Sequence, residues 1–146
     1  MRILVMHGPN LNMLGQREAT IYGKTTLSDI NAAMKSLGSE LGVEIETFQS
    51  NHEGDLVDKV QGVKGQFDGV VINPAAFTHT SIALRDAFLA VSIPFVEVHI
   101  SNVYSREPFR HKSLLSDVAI GVVAGFGPLS YNMGLRGLLE RIRADG

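Results

Sequence analysis

The sequence predicts an α/β protein whose parallel β-sheet is covered by helices on both faces. Three observations predict this fold class. Short apolar, β-rich runs recur along the chain, segments with helical periodicity separate most of them, and most of the runs end in polar stretches that contain histidine. Apolar strands that alternate with helices are typical of a parallel sheet buried on both faces.

Five strands are predicted. The apolar runs that indicate them are residues 3–6, 43–48, 69–72, 95–98 and 118–123. Connections between parallel strands are almost always right-handed, which leaves few topologies for a chain of this length. We therefore expect a flavodoxin-like, doubly wound sheet with strand order 2-1-3-4-5, in a single domain that spans residues 1–146.

At least four helices are predicted from apolar residues at helical spacing. The first opens at Thr26, with Asp29 three residues later as an N-cap pattern, and its stripe is Leu27, Ile30, Met34, Leu37 and Leu41. The second has Ser50 and Glu53 in capping-box spacing, and its stripe is Leu56, Val60, Val63 and Phe67. A third helix is predicted over 80–91. A fourth follows Pro128 and carries Leu135, Leu138, Leu139 and Ile142.

Composition limits the classes of function. The 146 residues are 45% hydrophobic, and the net charge of -2 gives no reason to expect nucleic acid or an anionic membrane as a partner. The chain has no cysteine, which excludes a thiolate nucleophile and a cysteine-based zinc site. No apolar run approaches the roughly 20 residues of a membrane span. We therefore expect a cytoplasmic protein that binds a small molecule.

Glu97 and His99 form the first candidate site. They are two residues apart on a predicted strand, so their side chains point to the same face, where the carboxylate can favour the protonated imidazole. His99 is thus a candidate general acid. Two alternatives stay open, namely a histidine paired only for structure and a zinc site formed by His79, His99 and Glu97, although no familiar zinc-ligand spacing is present. We expect no metal.

Basic residues are concentrated in the segment SREPFRHKS, residues 105–113. A guanidinium group can bind a carboxylate through two hydrogen bonds, so a small organic acid is the natural ligand. The alternative is a solvated basic loop. Arg110 is the favoured candidate because its neighbours Pro108 and Phe109 could anchor the loop.

Nucleotide binding is not favoured. The segment GFGPLS follows the last predicted strand rather than the first, and it lacks the third glycine of a dinucleotide fingerprint. No phosphate-binding GxxxxGK[ST] segment is present. We expect no cofactor.

The segment after the first strand is longer than the two to six residues that usually connect a strand to a helix. Residues 16–23 include Arg17 and Tyr22, in a loop bounded by Gly15 and Gly23. A nearby cation can lower the pKa of a tyrosine and make it a usable base. We expect a lid loop over the site, and a surface loop without function is the alternative.

Three motifs together carry a family resemblance: GPNLNMLGQRE with IYG, then NPAAFTHTSIALRD, then EVHISNVYSREPFRH. Through these motifs the chain resembles type II 3-dehydroquinate dehydratase. The motifs follow one another in the family's order, and the resemblance covers essentially the whole chain. The resemblance implies a cofactor-free hydro-lyase that converts 3-dehydroquinate to 3-dehydroshikimate by anti elimination through an enolate. It also implies a flavodoxin-like subunit that assembles into a homo-dodecamer. The same step serves aromatic amino acid biosynthesis and quinate breakdown.

The resemblance further implies a role for each site residue. Tyr22 is the base, Arg17 stabilises its phenolate, and His99 is the acid that protonates the departing hydroxyl. Glu97 orients His99, and Asn10 helps hold a water against the enolate oxygen. Asp86 reaches the site of a neighbouring subunit. The remaining substrate-binding residues are Asn73, His79, Ile100, Ser101 and Arg110. A noncatalytic subunit that binds a small molecule or serves assembly is the alternative, although binding alone does not need both an acid and a base.

Overall fold

A parallel β-sheet forms the centre of the molecule, in a computed structural model that describes residues 1–16 and 23–146. Within these residues the sheet has five strands, β1 (Arg2–His7), β2 (Glu44–Gln49), β3 (Gly69–Asn73), β4 (Phe95–His99) and β5 (Gly121–Ala124). Four α-helices accompany them, α1 (Leu27–Leu41), α2 (Glu53–Gln61), α3 (Ile82–Val91) and α4 (Leu129–Asp145).

The strand order is β2-β1-β3-β4-β5, and every neighbouring pair is parallel. This confirms the predicted fold class and strand order. The reversal of direction in the order falls at β1, which pairs with β2 on one side and β3 on the other. In a sheet of this kind the crevice for a ligand lies at this switch point, beyond the carboxyl ends of the strands.

Each face of the sheet has its own apolar core. Alternate residues of a strand point to opposite faces, so Ile3 and Val5 pack with α1 and α4, while Leu4 and Met6 pack with α2 and α3. These four side chains of β1 are all 0% exposed. Burial on both faces explains why the central strands β1 and β3 are mostly apolar rather than alternating.

Helix α1 begins as the sequence predicts. The Thr26 hydroxyl accepts the backbone N–H of Asp29 at 3.1 Å, and the Asp29 carboxylate accepts the N–H of Thr26 at 3.0 Å. Two backbone donors that the helix leaves unpaired are thereby satisfied. The backbone N–H and the side chain of Thr26 lower the pKa of Asp29.

Three predictions about the elements were wrong. The capping box of Ser50 and Glu53 is not formed, because the Ser50 hydroxyl donates to Asp55 at 2.7 Å and α2 begins after His52 without a side-chain cap. Helix α2 also ends at Gln61, so Val63 and Phe67 continue the apolar spacing in the turns that follow. The last strand begins at Gly121, because 118–119 form a turn after Leu115 and pack on the face of α2 and α3.

The ends of β1 and β3 approach each other closely at Gly8. Its backbone N–H donates to the carbonyl of Asn73 at 2.8 Å, and a Cβ placed on Gly8 would lie 2.3 Å from the carbonyl oxygen of Pro74. No side chain fits in that space, so glycine is required where the chain leaves β1. Among the residues described, no helix is long and apolar enough to cross a membrane.

Candidate active site

A cavity of about 190 Å³ opens at the carboxyl edge of the sheet, at the ends of β1, β3 and β4. This is the position that the fold class predicts. Its walls are formed by the turn after β1, the turn after β3 and the long connection between β4 and β5. The predicted site residues that line it are Asn10, Asn73, His79, His99, Ile100, Ser101 and Arg110.

His99 and Glu97 form a buried pair at the base of the cavity. The imidazole Nε2 lies 2.5 Å from Glu97 Oε2, and the two residues are 5% and 1% exposed. The other carboxylate oxygen, Oε1, accepts the hydroxyls of Ser113 at 2.8 Å and Ser116 at 3.0 Å. Both oxygens of the carboxylate are therefore occupied and its orientation is fixed. Since Nε2 faces Glu97, Nδ1 is the imidazole atom left for a ligand.

Asn10 and Asn73 enter the cavity from the ends of β1 and β3. Asn10 has a left-handed backbone conformation with φ 69°, which asparagine adopts more readily than most residues. Its N–H donates to Asn51 Oδ1 at 2.9 Å, which ties the turn after β1 to the turn after β2. Asn73 accepts the N–H of Ala75 on Oδ1 at 3.1 Å. Both side chains are thus placed by backbone that is itself held by hydrogen bonds.

His79 is held by the loop that carries the basic residues. Its Nδ1 donates to the carbonyl of Lys112 at 2.8 Å, since a carbonyl oxygen can only accept. In the neutral imidazole Nε2 is therefore the acceptor, and it is the ring nitrogen that can hydrogen-bond a hydroxyl group of a ligand.

Arg110 is positioned differently from the sequence-based expectation. Phe109 is 67% exposed and Pro108 is also exposed, so these neighbours do not anchor the loop. Instead, Arg110 Nε donates to Glu107 Oε1 at 2.9 Å. The pKa of Glu107 is lowered by its own backbone N–H and by the Arg110 side chain. Proline and phenylalanine face solvent here because the chain forms a short 3-10 turn that points them outward.

Several residues that help to form the site were not singled out in the sequence. Arg106 lines the cavity with a side chain that is 16% exposed, and no sequence pattern favours it over its basic neighbours. Ser113 and Ser116, which hold Glu97, carry no sequence signal as ligands of a carboxylate. The apolar part of the wall has no chemical motif and is formed by residues such as Leu11, Met13, Leu14 and Val103.

Three predicted residues are not among the described residues that line this cavity. Arg17 and Tyr22 lie outside the described residues, as does most of the predicted lid. Asp86 is exposed on α3 and does not line the cavity. The chain before and after the predicted lid comes close together, because a Cβ on Gly15 would lie 2.9 Å from the carbonyl oxygen of Lys24.

The described residues do not form the zinc site that was considered as an alternative. In residues 1–16 and 23–146, no three histidine or carboxylate side chains converge as metal ligands. Glu97 and His99 are bonded to each other, and His79 Nδ1 is bonded to a backbone carbonyl.

A doubly wound parallel sheet with a buried histidine–carboxylate pair in a polar cavity at its switch point defines an α/β enzyme that acts on a small polar molecule. The profile of the family described as dehydroquinase class II matches residues 1–139. The chain belongs to this family. This confirms the resemblance seen in the sequence motifs.

Individual relatives agree with the family match. The chain is 59% identical to a 3-dehydroquinate dehydratase of Geotalea daltonii, over 98% of this chain and 99% of the relative. It is 56% identical to a catabolic 3-dehydroquinase of Aspergillus terreus, over 90% and 86% of the two chains. The crystal structure of a type II dehydroquinase from Butyrivibrio crossotus superposes with a TM-score of 0.93 at 45% identity, covering 95% of this chain and 97% of that one.

Proposed function

We propose that this protein is a hydro-lyase that removes water from 3-dehydroquinate to give 3-dehydroshikimate. The family match and the names of the relatives support the reaction. The observation that carries the assignment to this cavity is the buried His99–Glu97 pair, whose carboxylate accepts three hydrogen bonds. The noncatalytic alternative is not favoured, because the relatives named above are all called dehydratases or dehydroquinases.

In this proposal His99 is the general acid. Its Nδ1 donates a proton to the hydroxyl that leaves as water, while Nε2 stays bonded to Glu97. Glu97 balances the positive charge of the imidazolium and prevents the ring from turning. A buried carboxylate is effective here because charge interactions are stronger away from water.

The base in this proposal is Tyr22, with Arg17 beside it to stabilise the phenolate. The proton that Tyr22 removes lies next to the ketone, so an enolate forms before the hydroxyl leaves. We propose that residues 16–23 act as a lid that brings both side chains to the substrate. Asn10 would hold a water against the enolate oxygen.

The substrate would be held by its hydroxyls and its carboxylate. Arg110 and the chain at Ile100 and Ser101 suit anionic or polar oxygen atoms, and His79 Nε2 suits a hydroxyl group. Asn73 completes the polar wall.

We expect the reaction to need no cofactor and no metal, so treatment of the protein with a chelator should leave the rate unchanged. We expect the enzyme to act in the cytoplasm.

Assembly forms part of the proposal, with a homo-dodecamer as the expected state. Asp86 is exposed on α3 between two exposed apolar residues, Ile82 at 63% and Leu89 at 51%. Residues four and three apart share one face of a helix, so these three side chains form a single exposed surface. An apolar surface around one carboxylate suits an interface through which Asp86 reaches the cavity of a neighbouring subunit.

The direct test is an assay of the purified protein with 3-dehydroquinate, read as the rise in enone absorbance. His99→Ala should lower turnover by about 10²- to 10⁴-fold, because general acid catalysis contributes that much. The matched control is His52→Ala, since His52 is exposed at the start of α2 and makes no side-chain cap. Wild-type turnover in His99→Ala, with the unfolding midpoint unchanged, would refute the role of His99. No turnover by the wild-type protein would refute the function.

A further inference from the structure

A buried chain of hydrogen bonds leads to the cavity through residues that do not line it. His7, the last residue of β1, is 0% exposed. Its Nδ1 lies 2.8 Å from the hydroxyl of Tyr131 on α4, and its Nε2 lies 2.8 Å from Asn31 Oδ1 on α1. Tyr131 is also 0% exposed, and its hydroxyl faces the side-chain amide of Asn73, which is the neighbour of His7 in the pairing of β1 with β3. The chain therefore ends at a cavity residue.

The direction of each hydrogen bond follows from the first donor. The backbone N–H of Ala75 can only donate, so the Asn73 atom 3.1 Å from it is the amide oxygen. The Asn73 Nδ2 group is then the donor to the Tyr131 hydroxyl oxygen. That oxygen accepts from Asn73, so the hydroxyl hydrogen is free to go to His7.

The direction continues through the imidazole. His7 Nδ1 accepts the Tyr131 hydroxyl and must carry a lone pair, so the single imidazole proton lies on Nε2. Nε2–H then donates to the Asn31 amide oxygen. Each of the four hydrogen bonds has one donor and one acceptor, and reversing one of them would place two donors or two acceptors face to face.

Burial keeps both titratable members of the chain neutral. Desolvation lowers the pKa of His7 to about 4 and raises the pKa of Tyr131. A neutral imidazole and a neutral phenol are the forms that the hydrogen-bond directions require. The arrangement is therefore stable across the neutral pH range.

We propose that His7, Tyr131 and Asn31 are positioning residues that make Asn73 a hydrogen-bond donor to an oxygen atom of the substrate. Asn73 Nδ2 has two hydrogens, and Tyr131 takes one of them. The amide oxygen accepts the N–H of Ala75, and the other Nδ2 hydrogen is the donor that Asn73 can offer to a ligand. The inference rests on the proposed function for the identity of the substrate, but the hydrogen-bond directions do not depend on it.

Kinetics of three variants test the positioning role. Tyr131→Phe keeps the ring and removes the hydroxyl, so Asn73 loses its partner, and KM for 3-dehydroquinate should rise about tenfold with kcat nearly unchanged. His7→Leu should behave in the same way. His7→Gln keeps one acceptor and one donor and should restore a KM close to that of the wild-type protein. The matched control is Tyr104→Phe, since Tyr104 is 66% exposed and outside this chain.

An NMR measurement tests the hydrogen-bond directions without any substrate. The ¹⁵N signals of His7 at neutral pH should report the tautomer protonated at Nε2, and the Nδ1 tautomer would overturn the inference. The side-chain amide hydrogens of Asn73 should exchange slowly with water in the wild-type protein and faster in Tyr131→Phe.

The outcomes separate this inference from the proposed function. If the wild-type protein dehydrates 3-dehydroquinate and Tyr131→Phe keeps the wild-type KM, the positioning role is wrong and the function stands. If the wild-type protein is inactive, the function is wrong, and the inference is then judged by the His7 tautomer and the Asn73 exchange rates. Equal exchange rates in the wild-type protein and Tyr131→Phe would overturn it.

Discussion

Two histidines at strand ends, His7 and His99, illustrate how the partner of a side chain decides its chemistry. His99 ends β4 and faces a carboxylate at 2.5 Å, whereas His7 ends β1 and faces a phenol and an amide, both at 2.8 Å. A carboxylate orients the ring and can balance charge during proton transfer, whereas burial lowers the pKa of His7 and keeps its imidazole neutral. One histidine therefore suits proton donation, and the other suits a fixed neutral hydrogen bond.

His7 leads to a prediction about stability and pH. The pKa of His7 is lowered by burial from 6.5 in the unfolded chain to about 4, so below pH 6.5 the unfolded chain binds a proton that the folded protein does not. The free energy of unfolding should fall as the pH drops from 6.5 to 4, by about 3 kcal/mol in total. Urea unfolding of the wild-type protein and His7→Gln between pH 7 and pH 4, with pH values set in steps of about one unit, measures it.

The two unfolding curves should differ in their dependence on pH, because His7→Gln removes the buried titratable group. The matched control is His52→Gln, which alters an exposed histidine that makes no side-chain cap at α2. His52→Gln should follow the wild-type curve. If the wild-type protein and His7→Gln lost stability in parallel as the pH falls, burial of His7 would not be the cause.

At the scale of the elements, sequence patterns predicted the bounds and caps of those strands and helices that depend on contacts between neighbouring residues. The first four strands lie within one residue of their predicted bounds, because apolar runs between polar turns leave little choice. The capping box of α1 was correct because Thr26 and Asp29 satisfy each other within one turn. The bounds of α2 and β5 were wrong because packing of 63, 67 and 118–119 against the sheet keeps apolar residues buried without regular structure.

The cap of α1 gives a prediction at this scale. Thr26→Ala should lower the free energy of unfolding by about 1 kcal/mol, because the backbone N–H of Asp29 loses its side-chain acceptor. Thr26→Ser keeps the hydroxyl and should stay close to the wild-type value. Chemical denaturation of the three proteins measures it, and equal midpoints for Thr26→Ala and Thr26→Ser would contradict the role of the cap.

The candidate site was predictable where strand ends meet and not where distant segments meet. Asn73 and His99 follow from the convergence of parallel strand ends. Tyr131 is 124 residues from His7, and Ser116 is 19 residues from Glu97, with no local pattern in either case. Such partners are chosen by the three-dimensional packing of α4 and of the connection after β4, which a single sequence does not display.

On the scale of the whole molecule, the proposed assembly predicts that subunits share sites. Asp86→Ala and His99→Ala subunits should each be inactive, and a mixture of the two should recover part of the activity once the subunits exchange. A mixture of His99→Ala with Asn73→Ala is the control, because both changes affect the same cavity wall of one subunit. A fully active monomer in sedimentation velocity would contradict the shared site.

The central position of β1 also has a consequence for the newly made chain. β1 is the first strand, yet Arg2 bonds to Asp68, which is 66 residues later, where β3 begins. During synthesis this mostly apolar strand must wait for its second neighbour, with one hydrogen-bonding edge open. Non-local pairing slows folding, and an open apolar edge favours aggregation. The topology that brings polar strand ends together in one cavity therefore leaves the newly made chain prone to aggregation until β3 has been synthesised.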